Sequence, residues 1–100
     1  WFLSVCVNGV DVNFLVDTGA SVSVIDQSLF YELFPNRTLN PCYVDLKVAN
    51  GVRLITTGSS HIRFFVNGSE LAHSFVVGEL GHTAGLLGLD FLKDHGSVVD

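Results

Sequence analysis

One hundred residues amount to a single domain, which excludes a large multi-domain enzyme, and a chain of this size buries roughly 60–70% of its unfolded surface. An apolar fraction of 48% against 15% charged residues excludes a disordered segment, and no apolar run approaches the ~20 residues of a membrane-spanning helix, so a packed globular core without a membrane partner is expected. Ten acidic residues against five scattered basic ones give a net charge of -5, which argues against nucleic acid as a partner.

In chain order, Leu3, Val5 and Val7 alternate with Ser4, Cys6 and Asn8, and Val10 and Val12 alternate with Asp11 and Asn13. This is the period of two half-buried strands. Asn8-Gly9 between them suits the two positive φ angles of a type I′ turn and predicts a hairpin. The same dipeptide returns at Asn50-Gly51, after Leu46 and Val48, and at Asn67-Gly68, after Ile62, Phe64 and Val66. Three such hairpins predict an all-β domain over residues 1–100, interrupted by one or two short helices.

The first helix is expected after Asp26 as cap, with Leu29, Phe30, Leu33 and Phe34 on one face and Pro35 as its stop. A second is expected between Gly88 and Gly96, where Phe91 and Leu92 supply apolar contacts and Lys93 and His95 suit the carboxyl end of the helix dipole. Val7-Asn8-Gly9 and Val66-Asn67-Gly68 each precede an extended segment that ends in an apolar triplet, Phe14-Leu15-Val16 or Phe75-Val76-Val77, then a turn and a helix. That repetition raises a duplication of one half-domain. It also sets Leu86-Leu87-Gly88 in a place corresponding to the strand that ends at Asp17.

Cys6 and Cys42 lack metal-ligand spacing and sit in apolar contexts, so they read as free cysteines packed as small hydrophobes, with a disulfide as the alternative. His61, His73, His82 and His95 are spaced too widely for a helical ligand pair, so no metal or other cofactor is expected and the histidines read as surface or internally satisfied residues. The chain opens at Trp1 without a basic region or cleavage site, so a signal peptide is not expected within this sequence, with a domain excised from a longer precursor as the alternative. The sequons at Asn36 and Asn67 read as chance occurrences in an intracellular protein.

Phe14-Leu15-Val16-Asp17-Thr18-Gly19-Ala20-Ser21 carries the most chemistry. An apolar run ending in a carboxylate, a hydroxyl and a glycine reads as a buried strand that delivers Asp17 to a tight loop, and Leu86-Leu87-Gly88 could support that loop from behind. A plain Asp-Gly turn is the alternative. A phosphotransferase would need a second acid where Gly19 stands, or a Walker lysine, and has neither.

These motifs, in this order, resemble the retropepsins, the aspartic proteases of retroviruses and long-terminal-repeat retrotransposons. Asp17-Thr18-Gly19-Ala20 resembles their catalytic loop, Ala49-Asn50-Gly51-Val52 lies where the flap hairpin belongs, and Leu87-Gly88-Leu89-Asp90-Phe91-Leu92, with Leu86 before it, resembles their hydrophobic-glycine motif, in wording closest to the gypsy-type branch. The resemblance implies a closed, barrel-like subunit with a flap, paired as a two-fold homodimer. It further implies a cytoplasmic polyprotein-processing endopeptidase, carried in virus-like particles, that acts on polypeptide substrates with one Asp17 from each subunit. Thr18 would then hydrogen-bond across the axis, and Ser21 would bond the outer oxygen of Asp17.

Two departures stand out. Leu89 replaces an arginine of the retroviral interface, and only 16 residues precede Asp17, so residues 97–100 would have to supply part of the interface sheet. Two alternatives share the fold: a catalytically silent peptide-binding or dimerisation module, and a cellular homologue of the DNA-damage-inducible type.

Overall fold

A computed structural model describes residues 1–42, 55–81 and 83–99. The elements run β1 (Phe2–Val7), β2 (Val10–Val16), β3 (Val24–Asp26), α1 (Gln27–Leu33), β4 (Thr56–Val66), β5 (Ser69–Gly78), β6 (Gly85–Leu87) and α2 (Leu89–Val99). The strands close into a barrel in the order β1-β2-β6-β3-β5-β4. This is the all-β barrel with two short helices expected from the sequence. The expected Asn50-Gly51 hairpin, and with it the flap residues Ala49, Asn50, Gly51 and Val52, lies outside the described residues.

Both described Asn-Gly hairpins form as their chemistry requires. Asn8 and Gly9 have φ of 50° and 81°, and Asn67 and Gly68 have 49° and 82°, so each pair supplies the two left-handed positions of a tight turn matched to strand twist. Val7 accordingly pairs with Val10, and Val66 with Ser69. Strand alternation sends Val5, Val7, Val12, Phe14, Ile62, Phe64, Val66 and Phe75 into one core. Val10 departs from this pattern and is exposed, because it stands next to the turn. Phe75 joins the halves, with its ring centroid 5.6 Å from Phe14 and 5.8 Å from Phe64.

The duplication has a structural counterpart, with one correction. Each half is a hairpin, a short strand and a helix, and each short strand runs parallel to the second hairpin strand of the other half. Val24 and Ile25 pair with Val76 and Val77, while Leu86 and Leu87 pair with Leu15 and Val16. The two short strands meet antiparallel at Val24 and Leu86. Leu86-Leu87 therefore answers to Val24-Ile25 rather than to the strand that bears Asp17. This exchange of strands places the second half of the chain directly behind the Asp17 loop.

The helices follow the sequence at their starts more closely than at their ends. Asp26 caps α1 by accepting the Leu29 N–H, Phe30 and Leu33 are buried, and the helix stops one residue short of Phe34-Pro35, as the steric demand of proline on its predecessor requires. Beyond its expected boundary, α2 passes through Gly96 to Val99. A helical glycine costs about 1 kcal/mol relative to alanine and does not by itself stop a helix. Lys93 and His95 thus sit inside α2 and not in its last turn, which contains no basic residue, and residues 97–99 are helical rather than a sheet strand. Both cysteines are free.

Candidate active site

The apolar run Phe14-Leu15-Val16 anchors the strand that carries Asp17. Phe14 is fully buried, Val16 donates its N–H to the Trp1 carbonyl at 2.8 Å, and Asp17 donates its own to the Leu87 carbonyl at 3.0 Å. The chain then turns sharply: the Ala20 N–H reaches the Asp17 carbonyl at 3.1 Å, and the Gly19 N–H reaches the Asp17 carboxylate Oδ1 at 2.9 Å. A Cβ on Gly19 would stand 3.1 Å from that oxygen, so a side chain there would crowd the contact. Asp17 ends half-buried, while Thr18, Gly19 and Ser21 are exposed on the single chain.

Support comes from the opposite half-domain. Gly88 lies so close to the loop that a Cβ would meet the Val22 carbonyl at 2.6 Å and the Ala20 carbonyl at 2.7 Å. The Leu89 N–H bonds the Ala20 carbonyl at 2.9 Å, and the Asp90 N–H lies 3.3 Å from that of Ser21. Beneath this seam, the fully buried Ser23 donates its hydroxyl to Asp90 Oδ1 at 2.8 Å and accepts the Gly88 N–H at 3.0 Å. Asp90 Oδ2 takes His73 Nε2 at 2.9 Å and the Ser23 N–H at 3.2 Å. Burial alone would raise the Asp90 pKa, but bonds from His73, Ser23 and the Phe91 N–H outweigh it and hold the carboxyl below the ordinary aspartate value. Asp90 is thus a charged tie at the base of the loop.

Of the residues singled out in the sequence, Asp17, Thr18, Gly19, Ala20 and Ser21 are gathered in one loop against Leu87, Gly88 and Asp90. Leu86 instead packs beside Val24 and Val76 in a small second apolar cluster. The expected bond from Ser21 to Asp17 is absent: Ser21 contributes its carbonyl to Asp90, because the outward turn exposes its side chain. Ser23 escaped the sequence reading, whereas His73, read there as a surface or internally satisfied histidine, is the latter: it is buried and bonded to Asp90. The trace of Ser23 is a lone hydroxyl in the apolar run Val22-Ser23-Val24-Ile25; nothing local marks His73.

Asp26, the last residue of β3, is committed elsewhere: it caps α1 and accepts the Leu80 N–H at 3.0 Å. Among the described residues no helix is long and apolar enough to cross a membrane.

Comparison with known proteins agrees with this architecture. Over 96% of its length the chain is similar to the EIAV protease in a complex with the inhibitor HBY-793, with 88% of that chain covered, 23% identity and a TM-score of 0.77. It is similar over 95% of its length to the retroviral protease-like domain of Ddi1 from Leishmania major, with 72% of that chain covered, 22% identity and a TM-score of 0.72. A retropepsin-like aspartic protease from Rickettsia conorii matches 92% of the chain over 68% of its own, at 21% identity and a TM-score of 0.62. These likenesses establish the fold. The model of the gag-polyprotein aspartyl protease family matches residues 3–94, and the chain therefore belongs to that family of retropepsin-like proteases.

Proposed function

We propose that this protein is an aspartic endopeptidase whose active site forms between two copies of the chain, with Asp17 from each. The observation that carries this reading is the placement of Asp17: a carboxylate held by backbone bonds at the end of a strand anchored in the core by Val12 and Phe14, half-open to solvent, with exposed Thr18 and Gly19 beside it. Hydrolysing a peptide bond without a metal requires a base to take a proton from water and an acid to protonate the carbonyl oxygen. One carboxyl group cannot serve both needs at once. Two held together share a proton, because joint ionisation is costly, and so provide both roles.

A two-fold axis through the Asp17 loops supplies the second carboxyl group. The ionised Asp17 takes a proton from water as the water oxygen bonds to the peptide carbonyl carbon. Its protonated mate gives its proton to the carbonyl oxygen. Collapse of the tetrahedral adduct breaks the C–N bond, and a proton returns to the leaving nitrogen. Thr18 faces the mate loop and fixes the pair in register. Leu89, exposed at the start of α2 and bonded through its N–H to Ala20, offers an apolar contact where retroviral relatives use an arginine. The role of closing over an extended polypeptide is assigned to Ala49, Asn50, Gly51 and Val52 on their sequence alone.

The substrate is a polyprotein containing this domain, a reading supported by the gag-polyprotein family to which the chain belongs. The likeness to the Ddi1 domain favours a second reading, in which the same chemistry serves a cellular protein. Peptide cleavage at mildly acidic pH, blocked by a statine-type inhibitor and lost in Asp17→Asn, tests the enzymatic assignment. Undiminished cleavage by Asp17→Asn would overturn it, and absence of cleavage in the parent would leave a silent peptide-binding module as the better account.

A further inference from the structure

Away from the Asp17 loop, β5 and α2 bring together two histidines that lie 22 positions apart in the sequence. His73 projects from β5, with a side chain only 7% exposed, and its ring centroid lies 5.5 Å from that of His95 on α2. Asp94, 66% exposed on the same helix, places its Oδ2 3.8 Å from His73 Nδ1. One potential ligand atom from each of His73, Asp94 and His95 falls within 4.8 Å of the others.

A second observation concerns the protons. His73 Nε2 is bonded to the Asp90 carboxylate at 2.9 Å, and His95 Nε2 to the Ala72 carbonyl at 3.2 Å. An ionised carboxylate and a backbone carbonyl only accept, so both Nε2 atoms carry the hydrogen. In the neutral imidazole that leaves Nδ1 of each ring with its lone pair free. The 3.8 Å between His73 Nδ1 and Asp94 is too long for a hydrogen bond, yet close to the ~3.4 Å between two ligands of a tetrahedral ion with bonds of about 2.0–2.1 Å. A metal-binding histidine characteristically donates its other N–H to a carboxylate or carbonyl, which fixes the tautomer and increases ligand basicity. Both histidines already have such partners.

We propose that His73, Asp94 and His95 form a binding site for Zn²⁺, or a divalent transition ion of similar preference, that clamps α2 onto β5. Two imidazoles with one carboxylate suit Zn²⁺ and disfavour Mg²⁺ and Ca²⁺, which take oxygen ligands. Water completes the tetrahedron on the side where Asp94 is exposed. The ion joins the elements that meet at Asp90, so its binding reinforces the tie beneath the Asp17 loop.

The test is titration of the chelator-treated full chain with ZnCl₂, followed by calorimetry and thermal unfolding. One equivalent binds and the midpoint of unfolding rises with zinc concentration, whereas MgCl₂ has no effect. Asp94→Asn, at an exposed side chain, and His95→Gln, at a ring that faces β5 and whose replacement keeps a donor for the Ala72 carbonyl, each weaken binding at least tenfold, while metal-free Asp94→Asn unfolds as the parent does. Equal affinity in both variants would place the ion elsewhere and overturn the proposal, as would absence of binding. A readout on the parent alone is the nitrogen NMR spectrum of its histidines: zinc shifts Nδ1 of His73 and His95, and a shift confined to His61 would refute the site.

Discussion

The Ser23 hydroxyl and the Asp90 carboxylate meet at 2.8 Å across 67 residues of sequence, and through them the two halves of the barrel are fastened beneath the Asp17 loop. Because Ser23 also accepts the Gly88 N–H, one buried oxygen holds both a charged group and a backbone donor. Ser23→Ala should therefore destabilise the protein by about 1–3 kcal/mol, the cost of leaving buried polar groups unpaired. Denaturant unfolding measures this. Ser23→Thr, which keeps the hydroxyl, should recover most of the loss, and equal instability of both variants would point to a steric cause.

Gly88 and Gly96 make opposite predictions for the same substitution. At Gly88 a Cβ would meet two backbone carbonyls at 2.6 and 2.7 Å, and neither is the free end of a flexible side chain. Gly88→Ala should cost about 1–3 kcal/mol or more and depress peptide cleavage by displacing Ala20. At Gly96, inside α2, a Cβ would meet nothing within 4 Å. Gly96→Ala should stabilise by about 0.5–1 kcal/mol, read from the same unfolding curves.

Assembly controls activity if the site is shared. Specific activity should fall on dilution below the dimer dissociation constant, and a bound peptide inhibitor should move that threshold to lower protein concentration. Sedimentation at the same concentrations reports the mass. Leu89→Asp, which puts a charge at the apolar start of α2, should shift the population to monomer and reduce cleavage in parallel, without lowering the stability of the subunit.

Much of this architecture was legible in local chemistry. Asn8-Gly9 and Asn67-Gly68 announce their turns because few other dipeptides accept two left-handed residues in succession, and Asp26 with Pro35 brackets α1 by capping and steric exclusion. The Asp17 loop was legible for a similar reason, since the apolar run before Asp-Thr-Gly signals a strand anchored in the core, although burial is complete only at Phe14 and already partial at Leu15 and Val16. Interactions made across the barrel left weaker traces. Ser23 looks like one polar residue in a strand, and His73 acquires its partners only when α2 lies against β5. The end of α2 was misread because Gly96 is a weak helix breaker, and tertiary packing of Phe91 outweighs it.

The most direct test mixes parent protein with Asp17→Asn at fixed total concentration, allows the subunits to exchange, and measures peptide cleavage. A site built from one Asp17 of each chain requires activity to fall as the square of the parent fraction, because mixed pairs are inert. A linear fall would mean that a single chain carries the whole reaction.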